Sequence, residues 1–139
     1  KVRAIGTSNF LPHHLENLLE VCTVPPMVDQ IEFHPGYVQW ETVEFCRASQ
    51  ILVEAWSPLG RQRLADDPLL AELAGKYGVS QAQICLRFAL DCGVVPLPKS
   101  ADAGRMRQNL ALDFALEAED LERLRTMPQT GWSGLHPDK

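Results

Sequence analysis

The sequence predicts an α/β fold in which parallel strands alternate with helices. Three observations carry this. Four short apolar runs follow one another along the chain, around residues 2–5, 27–33, 51–56 and 94–98. Each is followed by a segment whose apolar residues recur at helical spacing. Each run also exits into polar residues: Thr7-Ser8-Asn9, His34-Pro35-Gly36, Ser57-Pro58 and Lys99-Ser100. Alternation of this kind means right-handed crossovers and a parallel sheet, and α/β folds place their ligands at the carboxyl ends of the strands.

The elements are justified in order. Residues 2–5 form the first expected strand, with residues 6–10 as its polar exit loop. Pro12 opens a helix whose inner stripe is Leu15, Leu18, Leu19 and Cys22, and Pro25-Pro26 end it. Residues 27–33 form the second strand, and its Asp29, Gln30 and Glu32 are unusual in a strand buried on both faces. A helix over 40–48 leads to the third strand, 51–56, and then to a long polar connection over 61–67. Two helices come next. The first covers about 68–76; the second starts at Ser80 and is punctuated by Gly93. The fourth strand, 94–98, feeds a helix with Asp102 as its N-cap. A last helix around 118–127 turns Leu121 and Leu124 inward, and residues 131–139 form a Gly- and Pro-containing tail. Four such strands cannot close on themselves, since about eight are needed to fill a barrel. The expected sheet has two open edges and an open apolar interior.

The stretch 94–109 holds the densest chemistry. Lys99, Ser100, the first amides of a helix and Arg105 gather at one strand end. Such a set suits a phosphate, because helix N-termini present N–H groups and partial positive charge. The same residues also suit a plain strand and a helix with solvated basic side chains; repetition of the unit along the chain favours the ligand reading. No GxGxxG occurs, so a dinucleotide site of Rossmann type is excluded.

Of the 139 residues, 45% are hydrophobic and 22% charged, which is ordinary for one globular domain over 1–139. A net charge of -5 argues against a nucleic-acid partner. No apolar run approaches the ~20 residues that span a bilayer, so no membrane partner is expected. Cys22, Cys46, Cys85 and Cys92 form no CxxC pair, which argues against a metal centre and for reduced thiols in a cytoplasmic protein. The chain opens on Lys1 and reads as a truncated piece of something longer.

VRAIGTSNF, DQIEFHP, VEAWSPLG and VPLPKS…RMRQN, in that order and spacing, resemble the second half of an aldo-keto reductase. The resemblance implies a (β/α)8 TIM barrel of which this chain supplies the last four strand–helix units. It implies NADPH lying extended across the carboxyl face of that barrel. Ser8, Asn9 and Gln30 would then bind the nicotinamide carboxamide, which gives a desolvated strand glutamine its partner. Trp56 would stack on the nicotinamide. Ser57, Leu59 and Gly60 would line the pyrophosphate. Lys99, Ser100 and Arg105 would grip the 2′-phosphate, with Gln108 and Asn109 at the adenine. His34 would shape the pocket wall, and Trp132 would either line the pocket or pack. Asp29 stands where the family usually has Asn.

The family's catalytic Asp, Tyr, Lys and His all belong to the first half of the barrel. None of Tyr37, Tyr77, Lys76, His34 or Lys99 matches them, so no catalytic residue is assigned. The expected parent is an NADPH-dependent oxidoreductase that reduces a small carbonyl substrate to an alcohol, and this chain alone is expected to be inactive. Two other readings stand beside it. One is a non-catalytic nucleotide-binding or regulatory subunit of the same fold; the other is a half-barrel that self-associates through its open edges.

Overall fold

The computed structural model describes all 139 residues. In chain order they form β1 (Gly6–Ser8), α1 (Pro12–Val21), β2 (Val28–Glu32), α2 (Trp40–Ala48), β3 (Leu52–Trp56), α3 (Pro68–Tyr77), α4 (Gln81–Asp91), β4 (Val95–Pro96), α5 (Ala103–Leu110) and α6 (Ala118–Arg125), with a short 3-10 turn over Gly60–Gln62. The four strands make one parallel sheet in sequence order, with Gly6 beside Val28, Val28 beside Leu52 and Glu54 beside Val95. This is the half-barrel arrangement that the alternating pattern predicts.

Local chemistry sets the helix starts. Asp67 accepts from the amides of Leu69 and Leu70, Ser80 and Gln83 form a reciprocal capping box, and Asp102 accepts from the amide of Arg105. Pro12 and Pro68 occupy first turns, where a missing N–H costs nothing.

Two strands depart from expectation. The first ladder runs over Gly6–Ser8 and not over residues 2–5, because pairing follows β2 and not local hydrophobicity. Val2 is 80% exposed. The fourth strand contracts to Val95–Pro96, since Pro96 and Pro98 have no N–H to donate to a ladder.

The core lies between sheet and helices. Ile31, Phe33, Val53 and Ala55 point outward from the strands and meet Leu15, Leu73, Ile84, Phe88 and Leu124. Phe33 and Phe88 stack with ring centres 5.7 Å apart. The alternate strand positions face the other way. Leu52 is 46% exposed and Val95 37%, while Gln30, Glu54 and Trp56 are half-buried. Thus the outer layer is packed and the inner face is open. Cys46, Cys85 and Cys92 are buried and unpaired, and burial pushes their thiols up to about 12, 12 and 11, leaving them unreactive near neutrality. No helix is long and apolar enough to cross a membrane.

Candidate functional site

The strand ends build a cleft of about 800 Å³ between the β3 exit loop and α5. Trp56, Ser57 and Leu59 form one wall; Lys99, Ser100, Arg105, Gln108 and Asn109 form the other. Eight of the twelve residues expected to bind cofactor therefore line one space. Gly60 lies buried behind it. Its φ is +59°, and a Cβ there would come 2.7 Å from Leu64 Cγ, so it shapes the loop without facing the cleft.

Three of the six non-glycine residues with positive φ line this cleft: Ser57, Arg61 and Gln62, at 51°, 48° and 69°. Such conformations cost free energy in non-glycine residues and persist only where the surroundings impose them, which is common at ligand sites. Arg61 and Gln62 also line the cleft, and sequence reading missed both. Arg61 Nε donates to Ser57 Oγ over 2.8 Å, and its guanidinium lies 5.2 Å from the centre of the Trp56 ring. An arginine one position after a strand-exit glycine is the only signal that could have marked it.

The anion end differs from expectation in its donors. The Asp102 amide donates to Ser100 Oγ at 3.1 Å, and the Arg105 amide donates to Asp102 Oδ1 at 2.7 Å. The Arg105 amide and charge hold the Asp102 carboxyl below the usual carboxylate range. The Asp102 and Arg105 amides are thus already engaged. The exposed Lys99 and Arg105 side chains are left to meet an anion. No side chain of α5 is buried, so its polar face is available along its whole length.

The other predicted residues lie beyond the cleft. Ser8 Oγ donates to the Gln30 carbonyl at 3.3 Å. Gln30 Nε2 donates to Glu54 Oε2 at 2.9 Å across adjacent strands, a partnership the sequence alone did not suggest. Asn9 borders a smaller recess of about 60 Å³, which also touches Trp56, Gln39 and the tail residues Leu135, His136 and Pro137. Trp56 is common to both spaces, and its indole Nε1–H donates to Asn9 Oδ1 at 2.7 Å.

His34 is fully buried. Its Nδ1 lies 2.8 Å from the Pro35 carbonyl and its Nε2 3.4 Å from Glu32 Oε1, so it supports the tail from beneath and faces neither space. Trp132 packs: it stacks on Tyr37 at 5.8 Å and donates to the Leu135 carbonyl. Asp29 is also fully buried. Its Oδ1 accepts from Thr7 Oγ1 at 2.9 Å while Oδ2 has no partner, and burial pushes its carboxyl above the usual range.

Comparison with known proteins gives consistent relatives. The sequence profile described as "Aldo/keto reductase family" matches residues 1–127. Glyoxal reductase of Bacillus subtilis (strain 168) is 42% identical over 140 residues, covering 100% of this chain and 51% of that protein. Methylglyoxal reductase DkgA of Salmonella typhimurium is 38% identical over 141 residues, covering 99% and 51%. Among solved structures, MGS-M4, an aldo-keto reductase from a Medee basin deep-sea metagenome library, superposes with a TM-score of 0.92 at 33% identity, covering all of this chain and 53% of that one. The aldo-keto reductase AKR2E5 complexed with NADPH superposes at 0.87 and 31% identity, covering 97% and 45%. The chain spans about half the length of the curated relatives it matches.

Proposed function

This chain belongs to the aldo/keto reductase family, and from that membership we propose that it is the cofactor-holding half of an NADPH-dependent carbonyl reductase. The observation that carries the reading is one cleft with a cationic end, Lys99 and Arg105, and an aromatic end, Trp56. That donor set suits a molecule with a phosphate at one end and a flat ring at the other. Its volume of about 800 Å³ has room for a dinucleotide.

When bound, the cofactor supplies the hydride; the protein supplies position and charge. Lys99, Ser100 and Arg105 hold the 2′-phosphate, and Gln108 and Asn109 meet the adenine. Ser57 and Leu59 flank the pyrophosphate, backed by Gly60, and Arg61 adds a positive charge there. Trp56 offers its ring to the nicotinamide, with Ser8, Asn9 and Gln30 near the carboxamide. The proton donor comes from the half of the barrel outside this chain. The substrate is a small aldehyde or ketone, in keeping with the names of the glyoxal and methylglyoxal reductases.

The test is cofactor discrimination in the full-length protein. Arg105→Ala should weaken NADPH about 10- to 100-fold, the value of a hydrogen bond to a charged group. NADH, which has no 2′-phosphate, should be nearly unaffected. Equal loss for both cofactors overturns the 2′-phosphate assignment.

A further inference from the structure

Glu54 and Trp56 stand two residues apart on β3 and so share its inner face. Each engages an amide side chain from elsewhere in the sheet. The Trp56 indole N–H donates to Asn9 Oδ1 at 2.7 Å. Glu54 is opposite Gln30 in the parallel register, and its Oε2 accepts from Gln30 Nε2 at 2.9 Å. Both members of this second pair are half-buried. The two amide-bearing residues are themselves joined, because the Asn9 backbone N–H donates to the Gln30 carbonyl at 2.9 Å.

The two side-chain bonds have opposite polarity. An indole N–H only donates, so it takes the oxygen of the Asn9 amide and leaves the NH2. A carboxylate only accepts, so it takes the NH2 of Gln30 and leaves Oε1. One donor and one acceptor are thus presented side by side. That pair matches a primary carboxamide, which offers one oxygen and one NH2. It does not match a carboxylate, whose second oxygen would meet Gln30 Oε1 with the Glu54 charge behind it. A hydrogen bond to a charged acceptor is a strong one, and it polarises the amide that makes it, so Gln30 Oε1 becomes a better acceptor.

We infer that Glu54 is a positioning residue: it holds Gln30 with Oε1 presented, so that Gln30 and Asn9 together select a ligand ring bearing a primary carboxamide. That this ring is a nicotinamide rests on the function proposed above; the bond between Glu54 and Gln30 does not.

Calorimetric titration of the full-length protein with NADP+ and with its acetylpyridine analogue tests it. The analogue keeps the carbonyl oxygen and carries a methyl group in place of the NH2, so it has nothing to donate to Gln30. Wild type should prefer NADP+ about tenfold, because the analogue leaves a desolvated acceptor unpaired. Glu54→Met is similar in length but frees Gln30 to turn, and should cut that preference to about threefold or less. The exchanged pair, Gln30→Glu with Glu54→Gln, puts an accepting oxygen back at residue 30 and should restore the preference. A merely structural role for Glu54 weakens both ligands by the same factor. An unchanged preference in Glu54→Met therefore overturns the inference, as does an exchanged pair that fails to restore it or a wild type that binds the two ligands alike. A wild type that binds neither dinucleotide overturns the function proposed above, and this role with it.

Discussion

Trp56 and Asn9 lock each other's orientation: the indole Nε1–H donates to Asn9 Oδ1 over 2.7 Å. The bond sets Asn9 Oδ1 as the acceptor for the indole and leaves the NH2 free to donate. A strand-end asparagine becomes a one-way donor, suited to a carbonyl on a ligand and unsuited to an ammonium. The same bond fixes the plane of the indole.

Asn9→Asp should therefore weaken NADPH and NADH by the same factor, about tenfold, because the donor is lost while the oxygen facing Trp56 is kept. This is the opposite signature to Arg105→Ala. Trp56→Phe should cost less, since an aromatic face remains and only the orientation of Asn9 is freed. Calorimetric titration of both cofactors against the full-length variants decides it.

Asp29→Asn should stabilise the protein near pH 7 by about 1 kcal/mol, the scale of an imperfectly paired buried polar group. Burial raises the Asp29 carboxyl, so the folded state binds its proton more tightly than the unfolded state does. Its contribution is full below the ordinary carboxyl value of 3.8 and is lost as pH rises through the elevated one. The advantage of the variant should shrink on acidification. Thermal unfolding midpoints from pH 4 to 8 measure the convergence.

Asp120 joins α6 to α3. It is buried and accepts from Lys76 Nζ and Tyr77 Oη, each at 2.6 Å, and from Arg123 at 3.3 Å. Asp120→Ala should cost about 2 kcal/mol. Lys76 and then Tyr77 hold its carboxyl below the ordinary range, so its contribution is present above the unfolded value and lost as pH falls through the lowered one. Glu72→Gln, which breaks the exposed pair with Arg123, should leave the midpoint nearly where it was. Denaturant titration of the two variants separates them.

How much could be read from residues alone depended on how local the cause was. Asp102 and Ser80 as N-caps act within one turn, and both were legible, whereas the reciprocal bond from Gln83 came only with the structure. The βα alternation was legible for the same reason. The first strand was misplaced because Val2 and Ile5 look like a strand, whereas the ladder is decided by residues beyond Met27. That Lys99, Ser100 and Arg105 share one cleft was legible, but the engagement of the Asp102 and Arg105 amides, which depends on side-chain rotamers, was not. Gln30 with Glu54 and Glu32 with Ser133 join distant stretches, and no local pattern announces such pairs.

Taken alone, the 139-residue chain should self-associate. Exposed Leu52, Val95 and Leu97 and the unpaired edges of β1 and β4 form a surface that favours burial. Sedimentation velocity over a range of concentrations should show mass rising with concentration. A compact monomer with one cooperative unfolding transition would overturn this.

The strands lie side by side in the order in which they are made, and that bears on how the chain reaches its fold. Each ladder closes only the loop through one crossover, Ser8 to Gln30, then Glu32 to Trp56, then Ala55 to Pro96. Closure cost grows only slowly with loop length, so the longest crossover, which carries α3 and α4, costs little more than the other two. On the ribosome, each βα unit can dock on the one before it as it emerges, with the helix-side core filling stepwise and no strand waiting for a distant partner.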